Sequence, residues 1–221
     1  MSEYRVFGVE GLPEIGEGDD LGALIAATVE LEDDDVEPSR YAREVSGDRD
    51  PRQTEVILGE TARIVRLRPP LLIAQTRHGF VCASAGVDAS NAPRTGTVVL
   101  LPEDPDASAE RIRTRLAELT GRRLAVVVTD SFGRAWREGT TDVALGAAGL
   151  QVLRNQRGER DPAGYELHAT TIAVADEIAG AAELVMGKLS RIPAAVVRGL
   201  RVTGDGKGKA LVMQADRDLF R

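Results

Sequence analysis

The strongest constraint on the fold is the run at residues 124–128, Leu-Ala-Val-Val-Val, followed at once by Thr129, Asp130, Ser131, Phe132, Gly133 and Arg134. Apolar and mostly β-branched residues in unbroken succession, with a turn signal behind them, predict a strand covered on both faces. Such strands belong to sheets flanked by helices, so an α/β or α+β chain is expected. A carboxylate and a hydroxyl at the carboxyl end of such a strand stand where open α/β sheets place ligands and metals. The competing reading is that Asp130 only caps a following helix.

Residues 4–9 alternate weakly like a strand, and a turn of Gly, Pro and acids leads into residues 21–29, whose spacing predicts a helix capped by Asp19 or Asp20. Residues 30–52 are polar and acidic and predict a surface helix and loop. Residues 64–67, 71–76 and 80–83 are short, apolar and bounded by Pro or Gly, which favours a meander. An amphipathic helix is expected over 106–119, an Ala-rich helix over 171–186 and a further buried strand over 193–197. The chain is expected to form one domain over 1–221, with two interlocked lobes dividing near Thr120 as its alternative layout.

Composition narrows the chemistry. With 221 residues and 43% hydrophobic content, the chain can bury a large core. A formal charge of −7 argues against general nucleic-acid binding, which needs a basic surface. The only cysteine, Cys82, can build neither an internal disulfide nor a thiolate metal site, so any metal must be held by oxygen, which suits Mg²⁺ or Mn²⁺. No apolar stretch approaches the roughly 20 residues of a membrane span, so a cytoplasmic setting is expected. His78 and His168 have no acidic or cysteine partner at ligand spacing, and both are expected to be structural.

Four constellations remain. Residues 85–91, Ala-Gly-Val-Asp-Ala-Ser-Asn, place Asp88 and Asn91 three apart among small residues; they form either a ligand loop or an Asx turn. The second is Thr129-Asp130-Ser131 itself. The third is the tail containing Val202, Thr203, Gly204, Asp205, Gly206, Lys207, Gly208 and Lys209, whose glycines would admit phosphates and whose lysines would neutralise them, the alternative being a flexible surface turn. It is no Walker loop, since Asp205 and not Lys follows Gly204. The fourth is Gly11 with Leu12, Pro13, Glu14 and Ile15, a turn before a helix that could meet a nucleotide.

Taken in order, the segments GLPEI, GDDL, AGVDASN, LLPEDPDASAERIR, VVVTDSFGRAWR, TIAVADEIAGAAELVMGK, AAVVRGL and GDG closely resemble the coenzyme F420-0:γ-glutamyl ligase family, from Arg5 to about Gly208. The resemblance implies a two-lobed, mixed-sheet homodimer. It implies an enzyme that uses GTP, two Mg²⁺ or Mn²⁺ ions and K⁺ to add L-glutamate to coenzyme F420-0, and also to F420-1, through an acyl phosphate. By that likeness Asp88 and Asp130 match divalent-metal carboxylates and would be catalytic, and Asn91 matches a guanine-nucleotide contact. Ser131 and Asp205 stand at second-metal positions, where relatives have Thr and often Glu. Leu12 to Ile15 and Val202 to Lys209 match segments that hold the nucleotide. No fused nitroreductase-like domain is expected.

One departure stands out. After Asp33-Asp34-Asp35-Val36 the family runs through a strand and a VVSKAEGR-like segment, whereas this chain passes directly to Glu37, Pro38 and Ser39. About twenty family residues, with a phosphate-contacting Ser and Lys, have no counterpart here. A metal-dependent phosphohydrolase and an inactive GTP-binding homologue therefore remain as alternative functions.

Overall fold

The computed structural model describes residues 4–9, 28–30, 36–92 and 94–219. Along the chain the described elements are β1 (Arg5–Gly8), β2 (Thr28–Glu30), α1 (Arg40–Val45), α2 (Pro51–Glu60), β3 (Thr61–Arg68), β4 (Leu71–Thr76), β5 (Val81–Ala83) and β6 (Thr97–Val99). There follow α3 (Pro105–Thr120), β7 (Val126–Arg134), β8 (Arg137–Ala148), β9 (Arg154–Asn155), β10 (Thr171–Ile172), α4 (Val174–Met186) and β11 (Ala195–Arg198). Helices and small sheets thus alternate, a mixed α/β architecture.

The chain divides into two compact units that interleave in sequence. The first comprises residues 1–14, 104–131 and 140–221; the second comprises 15–103 and 132–139. Thr120 falls inside the first unit, so no boundary lies there.

In the second unit the meander forms as its Pro and Gly punctuation predicts, with β3, β4 and β5 antiparallel in order. Its core joins Leu72 and Ala74 of β4 to Ile57 of α2, Ala85, Val87 and Val98. Helix α2 was not foreseen. Its start signal is nevertheless present: Asp50 accepts from Arg52 N at 2.8 Å, and Pro51 occupies the first helical turn, where its missing N–H costs nothing. Its large apolar residues, Val56, Ile57 and Leu58, are consecutive and so show no helical period.

In the first unit β1 pairs antiparallel with β11, and Ala144 and Ala147 of β8 pack with Leu150, Val152 and Ala175. Helix α3 is stopped and started by local chemistry. Asp104 accepts from Ala107 N at 2.9 Å, and Gly121 takes the left-handed φ of 66° that closes the C-terminus.

Several expectations need correction. Thr28 and Val29, the end of the helix expected over 21–29, pair with β6 as a strand; positions 21–27 lie outside the described residues. The strand expected to end near Val128 runs on to Arg134 and turns at Ala135-Trp136 into β8, so no helix follows Asp130 and its capping role falls away. The reason is that Thr129, Ser131 and Phe132 continue the alternation of a two-stranded ribbon, which needs no crossover helix. Thr171 and Ile172 form β10 before α4 begins at Val174, and β11 is only half-buried, pairing among the described residues with β1 alone.

Candidate functional site

On β7, Thr129 and Ser131 share a face by strand alternation, and Asp130 is directed to the other. The carboxylate of Asp130 accepts from Ser131 N at 2.8 Å. Across the hairpin stands Asp142 on β8, 5% exposed. Thr129 Oγ1 donates to its Oδ2 at 2.8 Å and Ser131 Oγ to its Oδ1 at 2.7 Å. A buried carboxylate is costly unless hydrogen-bonded, and these two hydroxyls meet that need. Ser131 itself stays exposed.

The outer edge of β8 is satisfied by carboxylates from two helices. Asp176 of α4 accepts from Ala144 N at 2.9 Å, and Asp106 of α3 accepts from Ala147 N at 2.9 Å. Burial pushes the Asp176 carboxyl above its ordinary range, against the opposing pull of the Ala144 N–H. Further along α4, Glu183 is also raised, by burial first and then by the negative charge of Asp142, with Lys188 acting the other way. The stripe Asp176, Gly180, Glu183 has helical spacing and runs beside Thr141 and Asp142; a Cβ on Gly180 would stand 3.3 Å from Thr141 Oγ1.

The tail is not a free turn. Gln151 N donates to Val202 O at 2.6 Å and Gly206 N to Leu150 O at 2.9 Å, so the segment lies along the chain that leaves β8. Added Cβ atoms would meet Gln151 N at 2.8 Å from Gly204, Val152 N at 2.8 Å from Gly206 and Leu145 O at 2.4 Å from Gly208. The glycines therefore permit a close approach to protein backbone. Gly208 N and Lys209 N then donate to Asp106 at 2.6 and 3.3 Å. Lys207 Nζ lies 3.7 Å from Glu110 on α3, while Asp205 is exposed. Residues Thr203, Gly204, Asp205 and Gly206 face Gln151, Val152 and Leu153 across a cavity of about 310 Å³. Asp130 and Ser131 are not in its lining.

In the second unit the loop after β5 is closed on itself. Asp88 Oδ1 accepts from Ser90 N at 2.8 Å and Oδ2 from Ser90 Oγ at 2.6 Å, the Asx turn that the spacing allowed. Its backbone is pinned by a two-way bridge to Val99 at 3.0 and 2.7 Å, and Asn91 takes a left-handed φ of 54°. His78 bonds Glu103 O through Nε2 at 3.1 Å and stacks on Phe80, as a structural histidine would. Leu12, Pro13, Glu14 and Ile15 lie outside the described residues. A second cavity, of about 300 Å³, has Arg43 and Arg52 in its wall, but Glu37 and Asp50 pair with them and offset their charge.

Among the described residues no three His, Cys, Asp or Glu side chains gather into a metal-holding group. The candidate donors are carboxylates and a hydroxyl, hard oxygen ligands that fit Mg²⁺ or Mn²⁺. Mg²⁺ in particular is commonly held by one or two protein carboxylates, with water and substrate phosphates completing the shell.

A model of the F420-0:gamma-glutamyl ligase family matches residues 31–199. The chain belongs to that family. It is 44% identical to the coenzyme F420:L-glutamate ligase of Methanopyrus kandleri, over 92% of each chain. It is 40% identical to the Methanothermobacter thermautotrophicus protein of that name, over 98% of each, and 39% to the Archaeoglobus fulgidus one, over 98% of this chain and 96% of that. These alignments span 233, 248 and 241 positions, more than the 221 residues here, so the relatives carry residues with no counterpart in this chain. No helix among the described residues is long and apolar enough to cross a membrane.

Sequence reasoning missed Asp142, Asp106 and Asp176. Asp142 meets its partners 11 and 13 residues away, and Asp106 meets the tail more than 100 residues away, so no local pattern marks either. The one clue at Asp142 was a lone acid entering the apolar run 143–150.

Proposed function

We propose that this chain joins L-glutamate to coenzyme F420-0 through a γ-glutamyl amide, with GTP as the activating nucleotide, and that it acts on F420-1 by the same step. The observation that carries this is the 40–44% identity to coenzyme F420:L-glutamate ligases over 92–98% of this chain. A carboxylate oxygen is a poor leaving group, so an amide requires activation. The γ-phosphoryl group of GTP passes to the substrate carboxylate, giving an acyl phosphate and GDP. The glutamate amine attacks the acyl carbon, loses a proton, and phosphate departs.

The residues divide that work. By family resemblance Asp88, Asp130, Ser131 and Asp205 are the residues that would supply oxygen ligands to divalent cations. Those residues would hold Mg²⁺ or Mn²⁺, which would supply neutralising positive charge for phosphoryl transfer. Asn91 offers a carboxamide to the guanine, and the exposed face of residues 202–209 offers backbone to the phosphates. A K⁺ ion and a homodimer complete the reading by family resemblance.

The test is product analysis with F420-0, glutamate, GTP and Mn²⁺. Glutamylated product and GDP in equal amounts support the ligase. Phosphate without amide would select a phosphohydrolase, and tight GTP binding without turnover would select an inactive homologue, a reading favoured by the residues that relatives have and this chain lacks. In the same assay Asp130→Asn should lose at least about 100-fold in rate with an unchanged melting temperature, because it removes a ligand charge and keeps the shape. Wild-type turnover would remove Asp130 from the site.

A further inference from the structure

We infer that Asp142 is a positioning residue, which orients the Ser131 hydroxyl so that its lone pairs face outward to a divalent cation. This rests on the reading of Ser131 as a metal ligand. A serine hydroxyl is a weak and rotatable donor: it has one proton and two lone pairs, and nothing in its covalent structure fixes where they point. The Asp142 carboxylate fixes them here. Both of its oxygens accept, one from Thr129 Oγ1 at 2.8 Å and one from Ser131 Oγ at 2.7 Å. With its proton committed to Asp142, Ser131 Oγ keeps both lone pairs for solvent or a cation, and donation to a carboxylate raises the electron density on that oxygen.

The geometry also explains the burial. Asp142 is 5% exposed while Ser131 is exposed, so the carboxylate sits behind the hydroxyl and cannot itself reach a ligand in solvent. Thr129, two residues before Ser131 on the same face, takes the other oxygen and prevents the carboxylate from rotating away. An acid with two hydroxyl anchors, one of them a candidate ligand, has the layout of the outer-shell groups that orient metal ligands elsewhere.

The test uses the intact protein and Mn²⁺ alone, with free Mn²⁺ read by electron paramagnetic resonance, beside steady-state glutamylation across a Mn²⁺ series. In Asp142→Asn the carboxamide has one accepting oxygen and one donating NH₂, so at most one hydroxyl keeps its role. Outer-shell changes of this kind weaken metal binding by about 10–100-fold, so the Mn²⁺ dissociation constant should rise about tenfold or more. The glutamylation rate at saturating Mn²⁺ should change less. Ser131→Ala should weaken Mn²⁺ at least as much, and Asp142→Asn in the Ser131→Ala background should add nothing, since Asp142 acts through that hydroxyl. If Ser131→Ala binds Mn²⁺ as wild type does, the ligand role of Ser131 fails. If Ser131→Ala is weakened while Asp142→Asn is not, or if the two losses add, the role of Asp142 alone is overturned. Asp142→Ser serves as a second variant; loss of the folded state in both would make Asp142 a folding residue and overturn the proposal.

Discussion

The loop 88–91 and the tail 202–209 look alike as sequence, each a short stretch of Gly, Ala, Ser or Thr with one aspartate, yet they are held in opposite ways. Asp88 closes its own loop by binding Ser90 two residues on. Among the described residues Asp205 has no comparable bond, and it stays exposed, while the tail is fixed by the backbone of residues 145–152 and by Asp106 on α3. In the loop a side chain shapes the backbone. In the tail the lack of side chains lets two backbones meet, and a distant carboxylate secures the join. A substitution in the loop should therefore be felt locally, whereas one in the tail should be felt across α3 and β8.

The largest effect should come from Gly208→Ala. Its Cβ would stand 2.4 Å from Leu145 O and 2.7 Å from Gly146 Cα, both backbone atoms that cannot swing aside. Overpacking of this kind costs about 3 kcal/mol, and denaturant unfolding should show a loss of that order. A loss below about 0.5 kcal/mol would mean that the tail is a loose turn after all.

Next should come Asp106→Ala. It strips the acceptor from Ala147 N, Gly208 N and Lys209 N, two of which belong to buried residues. Unsatisfied buried donors cost about 1–3 kcal/mol each, and water can replace some of the bonds, so a loss of about 2 kcal/mol is expected by denaturant unfolding. Because the same carboxylate holds the tail, GTP affinity measured by calorimetry should fall with it. Unchanged affinity in a folded Asp106→Ala protein would separate the tail from nucleotide binding.

These cases show what was legible. The meander, α3 and the Asx option at Asp88 rest on interactions within a few residues, so punctuation, period and spacing reveal them. The course of β7 past Asp130 was misjudged because the end of a buried run looks the same whether a helix or a hairpin follows. Asp130 and Ser131 were marked as site candidates by type and position, but the partner that orders Ser131 lies across a hairpin, where only the fold brings it near. The tail glycines were noticed and assigned to phosphate approach; their backbone partner lies about 60 residues earlier, beyond any local pattern.

A smaller effect should follow Ser90→Ala. It removes the Oγ donor to Asp88 and leaves the Ser90 N–H bond in place, at an exposed site. The expected loss is about 0.5 kcal/mol in denaturant unfolding. A loss matching that of Asp106→Ala would erase the contrast between local and distant closure.

The smallest effect should be a gain, in Asp176→Asn. Asp106 and Asp176 both accept a backbone N–H from the edge of β8, but burial raises the Asp176 carboxyl above its ordinary range. The folded chain therefore holds the Asp176 proton more tightly than the unfolded chain does, and stability falls as pH rises from the usual carboxylate pKa through the raised one. At neutral pH the charge opposes folding, while the acceptor oxygen still serves Ala144 N. Asparagine keeps that oxygen and has no charge to bury. Because the group is partly exposed, solvent screens much of the penalty, so melting at pH 7 should rise by only about 1–2 °C, a shift that fades as pH falls below the ordinary carboxylate range, where both states hold the proton. A fall in melting temperature at pH 7 would mean that the negative charge itself holds the β8 edge, and Asp176 would then resemble the tail clamp at Asp106 more closely than its pKa suggests.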